Sequence, residues 1–280
     1  MKLRKVTAAS ALVLALAVTA TACGSSDDSG SSSGSGGGKK IKVGIKFDQP
    51  GLGLKQPDGS YSGFDVDVAT YVAAALGYKA DQIEWVETKS ADRENALQRG
   101  DVKFIAATYS ITDERKQKVD FAGPYLLAHQ DLLVKKDSAI AKGTDLNGKK
   151  LCSVTGSTSA QNVQKTIAPK ANLRELAGYS ECIAGLQSGA VDAVTTDDSI
   201  LAGFAAQDKY KGQFKLAGLK LSNENYGIGV KKGDSATVTK INDALKKMVS
   251  DGSWQKAVDA DFGPAEYKNE PAPQIGNIVK

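Results

Sequence analysis

From residue 41 onward the chain alternates short β-type runs with helical ones, and it does so twice. That pattern restricts the folded part to α/β architectures built on a mostly parallel sheet with helices on its faces. Residues 41–47 alternate apolar and other side chains like a strand, and residues 49–62, dense in Gly and Pro, predict a loop. Helical spacing predicts a helix over 64–76, with Asp65 and Asp67 in its first turn, where carboxylates suit the dipole, and Gly77 as its stop. A strand over 83–86, a helix over 91–98 and a strand over 102–108 follow. The series then restarts with a strand over 150–154, helices over 159–167 and 180–187, and a strand over 191–195. Two long β-type runs, 125–135 and 226–230, remain outside both series. Two α/β lobes joined by two crossing strands account for them. Residues 236–262 read as helical and end at Gly263-Pro264.

The N-terminus indicates where such a chain works. Lys2, Arg4 and Lys5 precede an apolar, Ala-rich run over residues 8–20, the pattern of an export signal. Residues 24–38 are almost purely Gly, Ser and Asp, a composition that cannot bury enough apolar surface to fold. Such a tether would hold a domain roughly 20 to 25 Å from its anchor. Removal of residues 1–22 brings the net charge from +4 to +1, so nothing supports nucleic-acid binding. Three cysteines are present, at 23, 152 and 182. In an exported chain Cys152 and Cys182 are expected as a disulfide, with two buried free thiols as the alternative. His129 is the only histidine, so a metal site is not expected, and no cofactor motif is present.

The segment Ser110-Ile-Thr-Asp-Glu-Arg115, just after a predicted strand, places a guanidinium among hydroxyls and backbone donors. Arginine's planar fork pairs with both oxygens of a carboxylate, which lysine cannot match. An ordinary surface arginine in a turn is the plainer reading of the hexapeptide alone.

Together with Val119-Asp-Phe121 and Gly63-Phe-Asp-Val-Asp-Val-Ala-Thr-Tyr-Val-Ala-Ala-Ala-Leu76, this segment resembles the signatures of the polar amino-acid solute-binding proteins of bacterial ABC importers. Asn242 to Gly252 is similar to that family's C-terminal helix. More narrowly, Lys46-Phe-Asp-Gln-Pro-Gly-Leu-Gly53, Ile105-Ala-Ala-Thr-Tyr-Ser-Ile111, Gly123-Pro-Tyr-Leu-Leu127, Leu151-Cys-Ser-Val154 and Tyr226-Gly-Ile-Gly229 resemble the glutamate-binding lipoproteins of actinobacterial uptake systems. Ala20-Thr-Ala-Cys23-Gly24 resembles a lipobox, with Cys23 as the lipidated first mature residue, although Ala20 stands where leucine is commonest. Ordinary signal cleavage with a free cysteine is the alternative.

The resemblance implies a two-lobed periplasmic-binding-protein fold of type II, a Venus flytrap with two crossing hinge strands. It implies a signal peptide over 1–22, a linker over 23–40, one lobe from 41–128 and 226–280, and a second from 129–225. Its partners would be a free amino acid, ABC permease subunits and, through Cys23, the outer face of the cytoplasmic membrane, with the chain itself a monomer. Carried across residue by residue, Arg115 pairs with the ligand α-carboxylate, helped by Thr108 and Ser110. Ser157 and Thr158 open a helix whose free amides face the same group. Asp197 receives the α-ammonium, with Asp198 as a possible register error and a helix N-cap as the alternative role for either.

In related binders of acidic amino acids, basic residues at the places held here by Lys46 and Arg93 face the distal carboxylate. Two cations near one buried carboxylate fit glutamate or aspartate, since a desolvated charge needs a partner. The alternative is that Lys46 points to solvent and Arg93 decorates an exposed helix face. Tyr179 borders the same pocket or simply packs, Ala107 removes a hydroxyl that relatives often carry, and His129 is expected to be structural. Glutamine is the alternative ligand. A dehydratase, which some members of the fold family are, would need an acid held without a cation beside it. A sensor ectodomain would need a membrane span and a cytoplasmic module, and neither is expected here.

Overall fold

The computed structural model describes residues Lys39–Lys280; the expected export signal, Cys23 and most of the expected linker lie outside the described residues. In chain order the strands are β1 (Ile41–Ile45), β2 (Asp48–Gln49), β3 (Gly53–Lys55), β4 (Tyr61–Ser62), β5 (Ile83–Glu87) and β6 (Phe104–Ile105), with helices α1 (Phe64–Ala75) and α2 (Arg93–Arg99) between them. Next come α3 (Asp113–Lys116), β7 (Val119–Lys135), β8 (Lys150–Val154), α4 (Thr158–Asn162), β9 (Asn172–Leu176) and α5 (Tyr179–Ser188). The chain continues with β10 (Ala193–Asp197), α6 (Asp198–Ala205), β11 (Phe214–Leu216), β12 (Asn223–Lys231), α7 (Ser235–Ser250) and α8 (Ser253–Phe262).

The main sheet runs β5-β1-β6-β12-β7-β10-β8-β9, with β11 beside β7. β1 pairs in parallel with β5 and β6, and β8 pairs in parallel with β9 and β10, so each half carries the parallel core that its alternating pattern predicts. Among the described strands β7 pairs with strands of both halves, and β12 lies along its first part. The first part of β7 runs antiparallel to β12 and its second part antiparallel to β10 and β11, which makes these the two crossing strands of a two-lobed fold. The register of β12 slips between Tyr226 and Ile228. Gly227 sits there because a side chain would strike Ile111 at 2.6 Å.

Four expectations need correction. Residues 49–62 are not only loop: β2, β3 and β4 form a small antiparallel sheet, too short to leave a period-two pattern. The strand expected over 102–108 is limited to β6, because the backbone turns off the sheet at Thr108, whose φ is 47°. The C-terminal helix is two helices, broken where Gly252 takes a φ of 82°. β9 and β11 were not foreseen at all; their polar sequences, NLREL and FKL, lie on sheet edges with exposed positions. Cys152 on β8 and Cys182 on α5 are joined as a disulfide, which ties the helix to the strand beneath it. Among the described residues no helix is long and apolar enough to cross a membrane.

Candidate functional site

The site forms where chain segments leave the parallel strands of both lobes and face each other. A small cavity is lined by Ser90, Arg93, Thr108, Ser110, Arg115 and Tyr179 and, from the second lobe, by Ser157, Thr158, Asp197 and their neighbours.

Arg115 lies in the single turn of α3, whose N-terminus Thr112 caps by accepting the Arg115 N–H. The guanidinium is 8 % exposed. Its Nη1 donates to Ser110 O at 2.8 Å, its Nη2 to Gly156 O at 3.0 Å, and its Nε faces Glu94 at 3.5 Å. Gly156 belongs to the opposite lobe, so Arg115 already bridges the cleft. Arg93, in the first turn of α2, is 2 % exposed and lies 4.1 Å over the Tyr109 ring. Its Nη1 donates to Ala107 O and Thr108 O, while its buried Nε has no partner. Burial first, and the Arg115 charge next, lower its pKa to about 10. The exposed-face alternative for Arg93 is therefore excluded.

Lys46 is buried too, but it stands behind the cavity rather than on its wall. It lines an adjoining space with Asp48, Glu87 and Tyr179, and its Nζ donates to Ser90 Oγ at 2.9 Å. Burial, then the nearby guanidinium of Arg93, hold its pKa well below the usual lysine value. Three cationic side chains thus crowd one lobe's face, a costly arrangement that an anionic partner relieves.

Thr108 owes its left-handed backbone to Asp65, which was foreseen only as a dipole partner. That carboxylate, fully buried, accepts from Thr108 N at 2.9 Å and from Tyr125 Oη at 2.6 Å, and burial raises its pKa to about 6. A β-branched residue at positive φ costs on the order of 1–3 kcal/mol, so the buried acceptor is what holds it. Thr108 Oγ1 points back to Ala107 O and Gln49 Oε1.

On the other lobe, Ser157 is the N-cap of α4: its hydroxyl accepts from Ala160 N and pairs with Ser153. Thr158 is the first residue of α4, and its hydroxyl donates to Glu224 Oε2 at 3.1 Å. The Ser157 N–H also donates, to Val154 O at 3.1 Å, so what this helix start offers a carboxylate is the backbone amide of Thr158, not hydroxyl protons. The choice between the adjacent aspartates is resolved by their bonds. Asp198 accepts from His129 N, Ser199 N and Tyr267 Oη, and so is consumed by the fold. Asp197 sits at the N-cap position of α6 without a capping bond, accepts from Tyr226 Oη at 2.5 Å and borders the cavity. Burial first, and the Glu224 charge second, raise its pKa well above the ordinary carboxylate value. Tyr179 lies between the cavity and the space beside Lys46, with its pKa pushed up to about 12 by burial and by Asp197. His129 is bound on both ring nitrogens, by Asn223 and Glu270, away from the cavity lining. Among the described residues no group of His, Cys, Asp and Glu could hold a metal.

Sequence reasoning missed Ser90, Thr196 and Ile200 on the wall, Tyr109 beneath both guanidinium groups, and Glu224 behind Thr158. Ser90 and Thr196 each lie within three residues of a predicted site residue, the one signal that could have flagged them. Glu224 offered no local signal.

Residues 41–264 match the family described as bacterial extracellular solute-binding proteins, family 3. The chain is 47 % identical over 234 residues to the glutamate-binding protein GluB of Corynebacterium efficiens, covering 80 % of this chain and 79 % of that one. It is 43 % identical over 219 residues to the glutamine-binding protein GlnH of Bacillus subtilis, covering 78 % and 79 %. A solved structure of an ancestral arginine-binding protein bound to arginine superposes with a TM-score of 0.74 at 37 % identity, covering 80 % of this chain and 98 % of the other. These relatives are named for the amino acids they bind, not for a reaction. Sequence, topology and a polar cavity between two lobes agree that the chain belongs to the bacterial extracellular solute-binding proteins of family 3.

Proposed function

We propose that the chain binds free L-glutamate between its lobes and delivers it to the transmembrane subunits of an ABC importer, tethered to the outer face of the cytoplasmic membrane through a lipid on Cys23. The lobes of this reading are residues 41–128 with 226–280, and residues 129–225. The observation that carries it is the charge division of the cavity: Arg93 and Arg115 on one wall, Lys46 behind Ser90, and Asp197 opposite. Arg115 pairs with the α-carboxylate, together with Ser110, Thr108 and the helix start that Ser157 caps, where Thr158 supplies its amide. Asp197 takes the α-ammonium. Arg93, whose Nε lacks a partner, takes the distal carboxylate, with Lys46 reinforcing the positive field and Tyr179 closing the side. A ligand that contacts both lobes only when they are shut shifts the population toward the closed state, the surface a permease would recognise.

The second reading is glutamine, supported by the Bacillus relative; its neutral amide would leave the cations of the first lobe without an anionic partner. Calorimetry with glutamate, aspartate, glutamine, asparagine and arginine separates the two. Glutamate should bind tightest. Arg115→Ala should lose about 100-fold or more for every ligand, and Arg93→Ala should lose as much only for the acidic ones. Glutamine binding as tightly as glutamate, or an Arg93 variant with unchanged preference, would overturn the assignment.

A further inference from the structure

We infer that Glu224, which does not line the cavity, is the positioning residue for recognition of the ligand's ammonium group. This deepens the reading above and rests on it. Glu224 lies on the crossing strand β12 and is 5 % exposed. Both of its carboxylate oxygens are held: Oε1 accepts from Ser222 Oγ at 2.7 Å and Oε2 from Thr158 Oγ1 at 3.1 Å. A hydroxyl has one proton and two lone pairs. Because Thr158 spends its proton on Glu224, the only thing its hydroxyl can turn toward the cavity is a lone pair. Thr158 borders the cavity together with Asp197.

Asp197 is fixed in the same sense. Tyr226 Oη donates to its Oδ2 at 2.5 Å, and Ser199 Oγ lies 3.1 Å from that phenol oxygen. The groups that act on the Asp197 charge are Glu224 and Tyr226 from β12, Asp198 beside it on α6, and Arg115 from α3. Of these only Arg115 is a cation, and it is already bonded to Ser110 O and Gly156 O. The side chains of this wall therefore set a Thr158 lone pair beside the Asp197 carboxylate, a pairing that fits an –NH₃⁺ group, while the Thr158 backbone amide stays available to the carboxylate. It sets where the ammonium sits between Thr158 Oγ1 and Asp197, and it does so through a residue on the hinge strand. Strand movement and ammonium recognition are thereby coupled.

The experiment compares a ligand with its analogue in which the ammonium is replaced by a hydroxyl: L-glutamate by calorimetry, and L-2-hydroxyglutarate by competition against glutamate. Glu224→Gln keeps the size and an acceptor for Thr158 while removing the charge; Thr158→Val removes the hydroxyl and keeps the shape. Each variant should weaken glutamate about tenfold, the scale of one charge-assisted hydrogen bond, and change the hydroxy acid about twofold or less. A purely structural role would weaken both ligands equally, and equal losses in both variants overturn the inference. Should Glu224→Gln not fold, Thr158→Val alone decides it. Wild-type protein that ignores glutamate in the amino-acid panel sinks the glutamate reading instead. The same comparison then runs with glutamine and its α-hydroxy analogue, where equal losses still overturn the role of Glu224.

Discussion

Asp65 shows how far a single side chain can be from its sequence reading. Its position in the first turn of α1 suggests a surface carboxylate answering the helix dipole, yet it is fully buried and fixes the backbone of Thr108 on the cavity wall. Because burial raises its pKa to about 6, the folded state holds the proton more tightly than the unfolded chain does. The group therefore adds stability that is complete below about pH 4 and is lost as the pH rises through about 6. The expected size is about 3 kcal/mol. Asp65→Asn, which cannot titrate, should remove this slope: the stability of wild type minus variant, from urea titrations, should fall by about that amount between pH 3.5 and pH 7. Parallel curves would show that the carboxyl titrates normally. Arg115 is the opposite case, since its hexapeptide already carried the hydroxyls, the capping Thr112 and the fork in one contiguous stretch.

At the scale of elements, the two lobes meet through glycines. Gly156 packs against Ala91, where a side chain would come within 2.9 Å of the Ala91 backbone, and a side chain on Gly203 in α6 would collide with the Pro50 carbonyl of the other lobe. Asp48 spans the same seam, accepting at 3.2 Å from the amide and hydroxyl of Ser180 at the start of α5. Gly203 has ordinary helical geometry, so alanine there favours its own helix by about 0.5–1 kcal/mol while obstructing closure. Gly203→Ala should keep or raise the melting temperature and weaken all amino acids alike, about tenfold, in calorimetry. A variant that binds as wild type would remove this contact from the closing interface. The disulfide works within one lobe, where it closes a loop with a sequence separation of 30 and holds α5 on β8. Cys152→Ser with Cys182→Ser should cost about 3–4 kcal/mol, read by calorimetric unfolding as a fall of roughly 10 °C. A change under about 2 °C would contradict a stabilising role.

Across the described residues, β7 is the strand that pairs with both halves of the sheet, β12 runs along its first part, and the chain beyond α8 packs along them. Gly276 N donates to Gly123 O, Asn225 exchanges two bonds with Val279, and Glu270 reaches both His129 and Lys220. Periodicity determined the twofold α/β series and the long crossing runs, cysteine count in an exported chain the disulfide partners, and the hexapeptide itself Arg115, because each depends on residues close together in the chain or on residue type; Arg93 came only from the family resemblance. Only the tertiary structure decided that Arg93 is buried, that Lys46 stands behind Ser90, that Asp197 rather than Asp198 faces the cavity, and that Glu224 holds Thr158. These are questions of which groups satisfy one another's hydrogen bonds across separations of 14 to 69 residues, and local pattern carries no record of such pairings.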